Sequence, residues 1–363
     1  MGSNYKKLGG YIRQIDLRNS DASLGEENLY GISVTKEFII SHANLVGVTF
    51  DSYKVVAPRQ FAYIPDTSRR GDKIAISLNT FGEDIIVSSI CSVFEIIDEN
   101  QLLPEYLMLW FMRPEFDRYA RFMSNGSARE VFDWDCMCGV ELPVPTIEEQ
   151  KKTILHQQIL SHRIDLLKKI NDNLEAQAQS VIANCVEETG VESSVDNLIT
   201  LFDFMRRPMS GLERNGMERI YPYYGAAALM DYVDDYIFDG IYGLLGEDGT
   251  VMDDNGYPTM QYVWGKFWVN NHAHIFQGKN GYSTELVYLL LKKTVIRNAV
   301  TGAVQLKVNQ ENLRKLSVKV PSEADLPKLD SLIQIVFASI RENSDEITRL
   351  ETLKATLLAK MSD

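Results

Sequence analysis

Two histidines, His272 and His274, stand two residues apart in the run GKFWVNNHAHIF (265–276). On a strand that spacing points both rings to one side, which is how a metal centre or a general acid–base pair could begin. No third ligand follows at metal-site spacing, so the pair is expected to hydrogen-bond within the fold. Cys136-Met137-Cys138 is likewise a bare C-x-C without a second pair, and with Cys91 and Cys185 it reads as reduced thiol. The glycines between Gly243 and Gly249 lack the lysine of a phosphate-binding loop and read as a turn. GxSxG, HExxH and the Asn/Asp-Pro-Pro-aromatic tetrad that grips a target amine are all missing from the sequence. The expectation is a chain with no catalytic residue and no metal of its own. The competing enzymatic reading would centre on His272, His274 and Glu247.

A second set of residues suits recognition. Arg59, Arg69, Arg70 and Lys73 cluster around the polar stretch PDTSRRGDK (65–73). Further on, Arg206 and Arg207 precede YPYYG (221–225), which contains Tyr223, and Lys266 precedes Asn270 and Asn271. Arg and Lys pair with guanine edges or phosphates, and Asn reads adenine through two hydrogen bonds. Two glycine-containing loops, SNGSAR (124–129) and VTGAVQ (300–305), offer an approachable backbone beside Arg129 and Gln305. These twelve residues are the candidate DNA contacts.

Charge limits how such contacts could work. The chain of 363 residues carries a formal charge of −13, and residues 196–321 hold 13 Lys+Arg against 14 Asp+Glu. The lack of a basic block argues against tight binding to DNA by phosphate neutralisation alone, and leaves room for a reader that shares the grip with a more basic partner. No window approaches the roughly 18 uncharged apolar residues of a membrane helix. The first residues lack the layout of a signal peptide, so a cytoplasmic protein is expected.

The elements that must position these residues occur twice. At an offset of 176, Asn125-Gly126 falls on Thr301-Gly302 and Val144-Pro145 on Val320-Pro321; upstream the offset drifts to about 180, where PEYLMLWF (104–111) meets TELVYLLL (284–291). Thr146-Ile-Glu-Glu149 has the form of a helix capping box, and Ser322-Glu-Ala-Asp325 repeats its chemistry. Each box opens a long amphipathic stretch. The first carries a seam of Leu160, Ile164, Leu167, Asn171, Leu174, Ala178 and Val181; the second carries Val336, Ile340, Asn343, Ile347, Leu350 and Leu357. A narrow seam over roughly 35 residues, or about 50 Å, is that of two helices packed on each other. Counted at the 176 offset, the two seam asparagines fall in different layers. The runs 84–97 and 262–276 are strand-like, and 104–123 and 283–293 are helical. The expected architecture is α+β, with two strand-rich recognition domains (1–145 and 187–321) joined by two long antiparallel coiled-coil helices (146–186 and 322–363) in an internal pseudo-two-fold repeat.

This pattern resembles the specificity subunits of type I restriction–modification enzymes. The resemblance rests on the doubled layout and on LPVPTIEEQ (142–150) at the entry to the first helix. It rests also on YPYYGAAALMDYVDDYIFDG (221–240) and on LLGEDG (244–249) followed by GKFWVNNHAHIF. The second helix departs from it, reading Ala324-Asp325-Leu326 where the first has Glu148-Glu149-Gln150. The resemblance implies that each globule reads one half of a split double-stranded DNA target. The helices would act as a ruler and as a docking surface for two modification subunits and, where present, restriction subunits. S-adenosylmethionine, ATP and Mg would be bound by those partners, and this chain would hold no cofactor. The alternative of the same architecture is a non-catalytic scaffold or regulator that binds protein only.

Overall fold

The computed structural model describes residues 5–41, 47–67, 71, 73–124, 130–302 and 306–362. The chain forms two compact units, 1–166 with 347–363 and 167–346. The division falls inside both long helices, because each half-helix packs into the core of its own globule.

In the first unit, four antiparallel strands lie in the order Ile12–Ile15, Ser92–Ile96, Phe61–Ile64, Ala75–Leu78. The strand-like run 84–97 is two strands, Ile85–Val87 and Ser92–Ile96, parted by a turn in which the Cys91 N–H donates to the Ser88 carbonyl at 3.0 Å. The helix expected over 104–123 is also two, Pro104–Phe111 and Pro114–Met123. Pro114 cannot donate to the turn before it and its ring crowds that turn, so the helix stops and restarts. The core gathers Phe61, Phe94, Phe111, Phe116 and Phe132, with Phe61 and Phe94 stacked at 4.8 Å.

The second unit repeats those four strands and extends them. Its sheet runs Ile199–Leu201, Ala273–Gly278, Phe238–Gly246, Met260–Val269, Tyr221–Tyr224, Leu229–Val233. Register is kept as well as order. Tyr63 pairs with Ser92 and Phe61 with Phe94; Leu245 pairs with His274 and Gly243 with Phe276. Gly243 is therefore not in the turn expected of it. It lies within a strand, where a Cβ would stand 2.1 Å from the Phe276 ring, so only glycine leaves that ring its place.

Each globule is joined through a two-stranded neck. Tyr5–Lys7 pairs with Glu141–Pro143, and Val191–Ser194 pairs with Ser317–Val320. Just inside the necks, the Leu8 N–H donates to Val140 (2.8 Å) and the Val195 N–H to Leu316 (2.9 Å).

The long helices span Ile147–Thr189 and Leu326–Ala359. Thr146 caps the first as expected: its N–H donates to Glu149 at 3.0 Å and its hydroxyl accepts from the Glu149 N–H at 3.4 Å. The Ser322 hydroxyl likewise accepts the Asp325 N–H at 3.3 Å and donates to the Asp325 carboxylate at 2.6 Å, but as a separate turn one step ahead of the helix. Pro327 sits in that helix's first turn, where its missing N–H costs nothing. This extra turn hides an equivalence. Buried Gln150 accepts the Leu103 N–H ahead of helix Pro104–Phe111 (2.9 Å), and buried Asp330 accepts the Ser283 N–H ahead of helix Thr284–Lys292 (2.8 Å). Asp330, not the segment at 324–326, stands in for Gln150.

Within the first unit the helix halves pack antiparallel, and Gln157 donates to the Lys354 carbonyl at 3.2 Å. In the second unit Ala178 and Ile182 share a core with Ile333 and Phe337, and Thr189 donates to Asp325 at 2.6 Å. Leu160, Ile164, Leu167, Leu174, Val336, Ile340, Ile347, Leu350 and Leu357 are buried or half-buried, as a seam requires. Two expectations are corrected. Ile182 rather than Val181 is buried, because 3.6 residues per turn drift off a strict heptad. The seam asparagines share one layer: the Asn343 side-chain amide donates to Asn171 Oδ1 at 2.8 Å.

Candidate nucleic-acid interface

In both units a pair of loops leaves the sheet through the same short ladder. In the first, Asp66 bridges Val131, Phe132 N–H donates to Pro65 (2.9 Å), and Thr67 N–H donates to Glu130 (3.1 Å). In the second, Asp248 bridges Lys307, Val308 N–H donates to Glu247 (2.8 Å), and Gly249 N–H donates to Leu306 (3.1 Å). Separate in sequence, 65–67 and 130–132 thus meet at one base, and so do 247–249 and 306–308.

What lies beneath the two ladders differs in kind. Under the first, fully buried Phe132 meets the rings of Tyr63, Phe116 and Tyr119. Under the second lies a network of charge. Buried His274 presents Nδ1 to Asp203 at 2.5 Å and donates from Nε2 to the Val308 carbonyl at 2.8 Å. Asp203 also accepts the Ile275 N–H (2.9 Å) and the Gln310 amide (2.6 Å). Arg206 bonds Glu247 at 2.5 Å and the Ala273 carbonyl at 2.8 Å, and Lys307 reaches Glu247 at 3.2 Å. Burial pushes both carboxyls up, but their partners prevail: His274, Ile275 N–H and Arg206 hold Asp203 below the ordinary carboxylate range, and Arg206, His274 and Lys307 do the same for Glu247. Asp203, Glu247 and His274 have donor atoms within 4.8 Å of one another, the one grouping among the described residues with metal-ligand chemistry. Its negative charge is already met by Arg206 and Lys307, and His274 Nε2 is committed to a carbonyl, so the cluster braces the fold.

The sequence-predicted contacts fall into three groups. Arg69, Arg70, Arg129 and Gln305 lie outside the described residues. Arg206, Tyr223 and Asn270 are engaged inside the fold, and Arg59 is paired at the surface. Arg59 bonds Glu99 and Glu105 (both 2.6 Å at closest), and the Tyr223 hydroxyl, on a side chain 1% exposed, accepts the Met209 N–H at 3.1 Å. Asn270 Oδ1 accepts the His272 N–H at 2.8 Å. All four side chains thus have partners within the protein. Lys73, Arg207, Lys266 and Asn271 are exposed, Lys266 with its ammonium 4.5 Å from the Tyr236 ring centre. His274 is on a strand as expected, but His272 lies one turn earlier, 48% exposed and 2.7 Å from Asp248. Sequence reasoning missed Asp203 and Asp330. Neither carries a motif, and both act through backbone amides brought from far along the chain.

Residues 203–354 match the family described as the type I restriction modification DNA specificity domain. Over 128 residues the chain is 30% identical to a putative type I restriction enzyme specificity subunit of Haemophilus influenzae; the match covers 35% of this chain and 32% of that protein's length. In fold, the chain is similar to the crystal structure of the type I restriction–modification S subunit from M. genitalium. That likeness has a TM-score of 0.55 and 13% identity, covering 100% of this chain and 98% of the other. Residues 203–354, less than half of the chain, thus match the type I restriction modification DNA specificity domain, and the likeness to the M. genitalium subunit is one of fold.

Proposed function

We propose that this chain is the DNA sequence-specificity subunit of a type I restriction–modification system, non-catalytic itself, which reads a split target with two unlike heads. The observation that carries the reading is the pairing of one strand order, one register and one loop ladder with two unrelated sets of loop residues. A reader of two different half-sites needs common frames and differing surfaces; a protein-only scaffold has no such need. The match of residues 203–354 to the specificity-domain family supports the same conclusion.

The helices supply the second part of the proposal, the docking of two modification subunits and, where present, restriction subunits. Leu155, Ile159, Leu166 and Ile170 are exposed on the first helix. At 3.6 residues per turn they fall within an arc of about 60°, away from the seam. An apolar stripe of that kind suits helices of a partner. S-adenosylmethionine, with ATP and Mg where cleavage occurs, would enter with those partners. Among the described residues no helix is long and apolar enough to cross a membrane.

The test is a methylation map. The chain is expressed with its cognate modification subunit in a methylation-free host, and modified adenines are located with and without the chain. A chain-dependent motif of two unlike halves with a fixed gap is the expected result. A stable complex that directs no modification would instead leave the scaffold reading.

A further inference from the structure

The shared register of the two units exposes one place, against the long helices, that only one of them fills. In the second unit, strand Met260–Val269 and helix Thr284–Lys292 meet the helix Leu326–Ala359 in an aromatic cluster. The Phe337 ring lies 4.7 Å from that of Tyr262 and 6.0 Å from that of Tyr288. Arg341 donates to Glu285 at 2.8 Å and also to the Tyr262 hydroxyl. The second unit thus fills this place with three rings and a guanidinium of its own.

Each of these residues has a counterpart in the first unit. Phe61 pairs with Leu78 as Gly243 pairs with Tyr262, so Leu78 stands for Tyr262. The offset of 180 that sets PEYLMLWF on TELVYLLL places Met108 at Tyr288 and Glu105 at Glu285. The same offset, which relates Gln150 to Asp330, places Gln157 at Phe337 and Ser161 at Arg341. Rings and guanidinium give way to leucine, methionine, glutamine and serine. All four line an open groove of about 700 Å³, with Phe81, 45% exposed, also in its wall. That volume holds more than one side chain.

The groove lacks what the second unit supplies to itself. Gln157 is 3% exposed; its amide donates to the Lys354 carbonyl, while its Oε1 has no hydrogen-bond partner. A buried acceptor left unpaired is costly, and a docked donor would relieve it. No cation reaches Glu105 from Ser161, and Glu105 pairs with Arg59 instead. With exposed Glu37 and Asp165, it sets three carboxylates in the lining, against Lys354 and a Lys36 buried on Asp117 at 2.9 Å. The groove also runs into the exposed stripe of Leu155, Ile159 and Leu166. His162 in its lining and Leu155 are seven residues apart, about 20° around the helix.

We propose that this groove anchors the modification subunit at the first unit, by taking an aromatic side chain with an arginine or lysine beside it. The occupant then supplies from outside the chemistry that Phe337 and Arg341 supply from within the second unit. This rests on the specificity-subunit reading and makes the two docking places unlike. The experiment titrates the modification subunit onto the full chain by calorimetry, for the wild type, Gln157→Phe and Phe81→Ala, with a thermal melt of each free chain. Gln157→Phe closes the groove with the ring the second unit uses, and Phe81→Ala removes an exposed wall. Each should weaken one binding step roughly 5- to 30-fold and leave the other unchanged, as loss of an anchor residue does. If Gln157→Phe melts early, Phe81→Ala decides. Wild-type affinity in variants that melt as wild type overturns the anchor. A photocrosslinking residue at exposed Gln158 identifies the occupant by mass spectrometry: a peptide of the modification subunit with an aromatic residue near Arg or Lys is expected, and a peptide with neither, or none, contradicts the proposal. A wild-type chain that forms no complex with the modification subunit removes the specificity-subunit reading itself, a different failure.

Discussion

The two globules solve one structural problem with opposite chemistry. Both must hold a loop ladder firmly at the rim of a four-strand sheet whose order and register they share. The first does so with an aromatic wedge, Phe132 among Tyr63, Phe116 and Tyr119, and stacks Phe61 on Phe94 behind it. The second removes one ring, setting Gly243 against Phe276, and braces its ladder with Asp203, His274, Glu247 and Arg206. A core that can change from rings to ions without changing register leaves its rim free to vary. That freedom is what a reader of many possible sequences needs.

The comparison can be broken most severely at the braces. Phe132→Ala should destabilise the first unit by about 3–5 kcal/mol through the cavity it leaves. Asp203→Ala should cost the second unit a similar amount, about 3–5 kcal/mol, because Arg206 loses a buried counter-charge and His274, the Ile275 N–H and the Gln310 amide lose their hydrogen-bond partner. Urea unfolding followed by hydrogen exchange should show each loss confined to its own unit.

Acid should separate the two braces. Asp203 and Glu247 are held below their ordinary pKa values of 3.8 and 4.5. Their contribution is therefore full above that range and fades as pH falls through the lower folded values. Below pH 4 the amides of Gly249 and Val308 should lose exchange protection before those of Thr67 and Phe132, which rest on rings that carry no charge in acid. Equal loss on both sides would show that the charge network is not what braces the second ladder.

Smaller effects sharpen the likeness between the units. Gln150→Ala and Asp330→Ala should each cost about 1–3 kcal/mol, since each leaves a helix-start amide without its acceptor. In the seam, Asn171→Leu alone strands the Asn343 amide. A double-mutant cycle with Asn343→Leu should return a coupling of about 0.5–3 kcal/mol by thermal melts.

Much of this was legible in the sequence, and the misses have physical causes. The doubling, the Thr146 cap and most of the seam follow from local spacing, which a linear reading captures. The pairing of Asn171 with Asn343 was hidden because antiparallel helices match residues by summed position, not by a constant offset. Asp330 was hidden by the four-residue turn at Ser322, which moves the second helix out of the 176 register. Among the candidate contacts, composition alone could not tell an exposed Lys73 or Asn271 from an Arg59 or Arg206 held by acids distant in sequence. Charge type is written in the sequence; whether a charge is already partnered depends on the fold.

The most direct test of two interchangeable heads on a common frame is an exchange at the necks. Residues 195–316 would replace residues 8–140, each segment being closed by the same hydrogen bond at its neck. In complex with the modification subunit, the resulting chain should direct methylation of a split motif whose two halves are identical, both matching the half-site of the second unit. An assembled complex that still modifies two unlike halves, or directs no modification, would contradict the account.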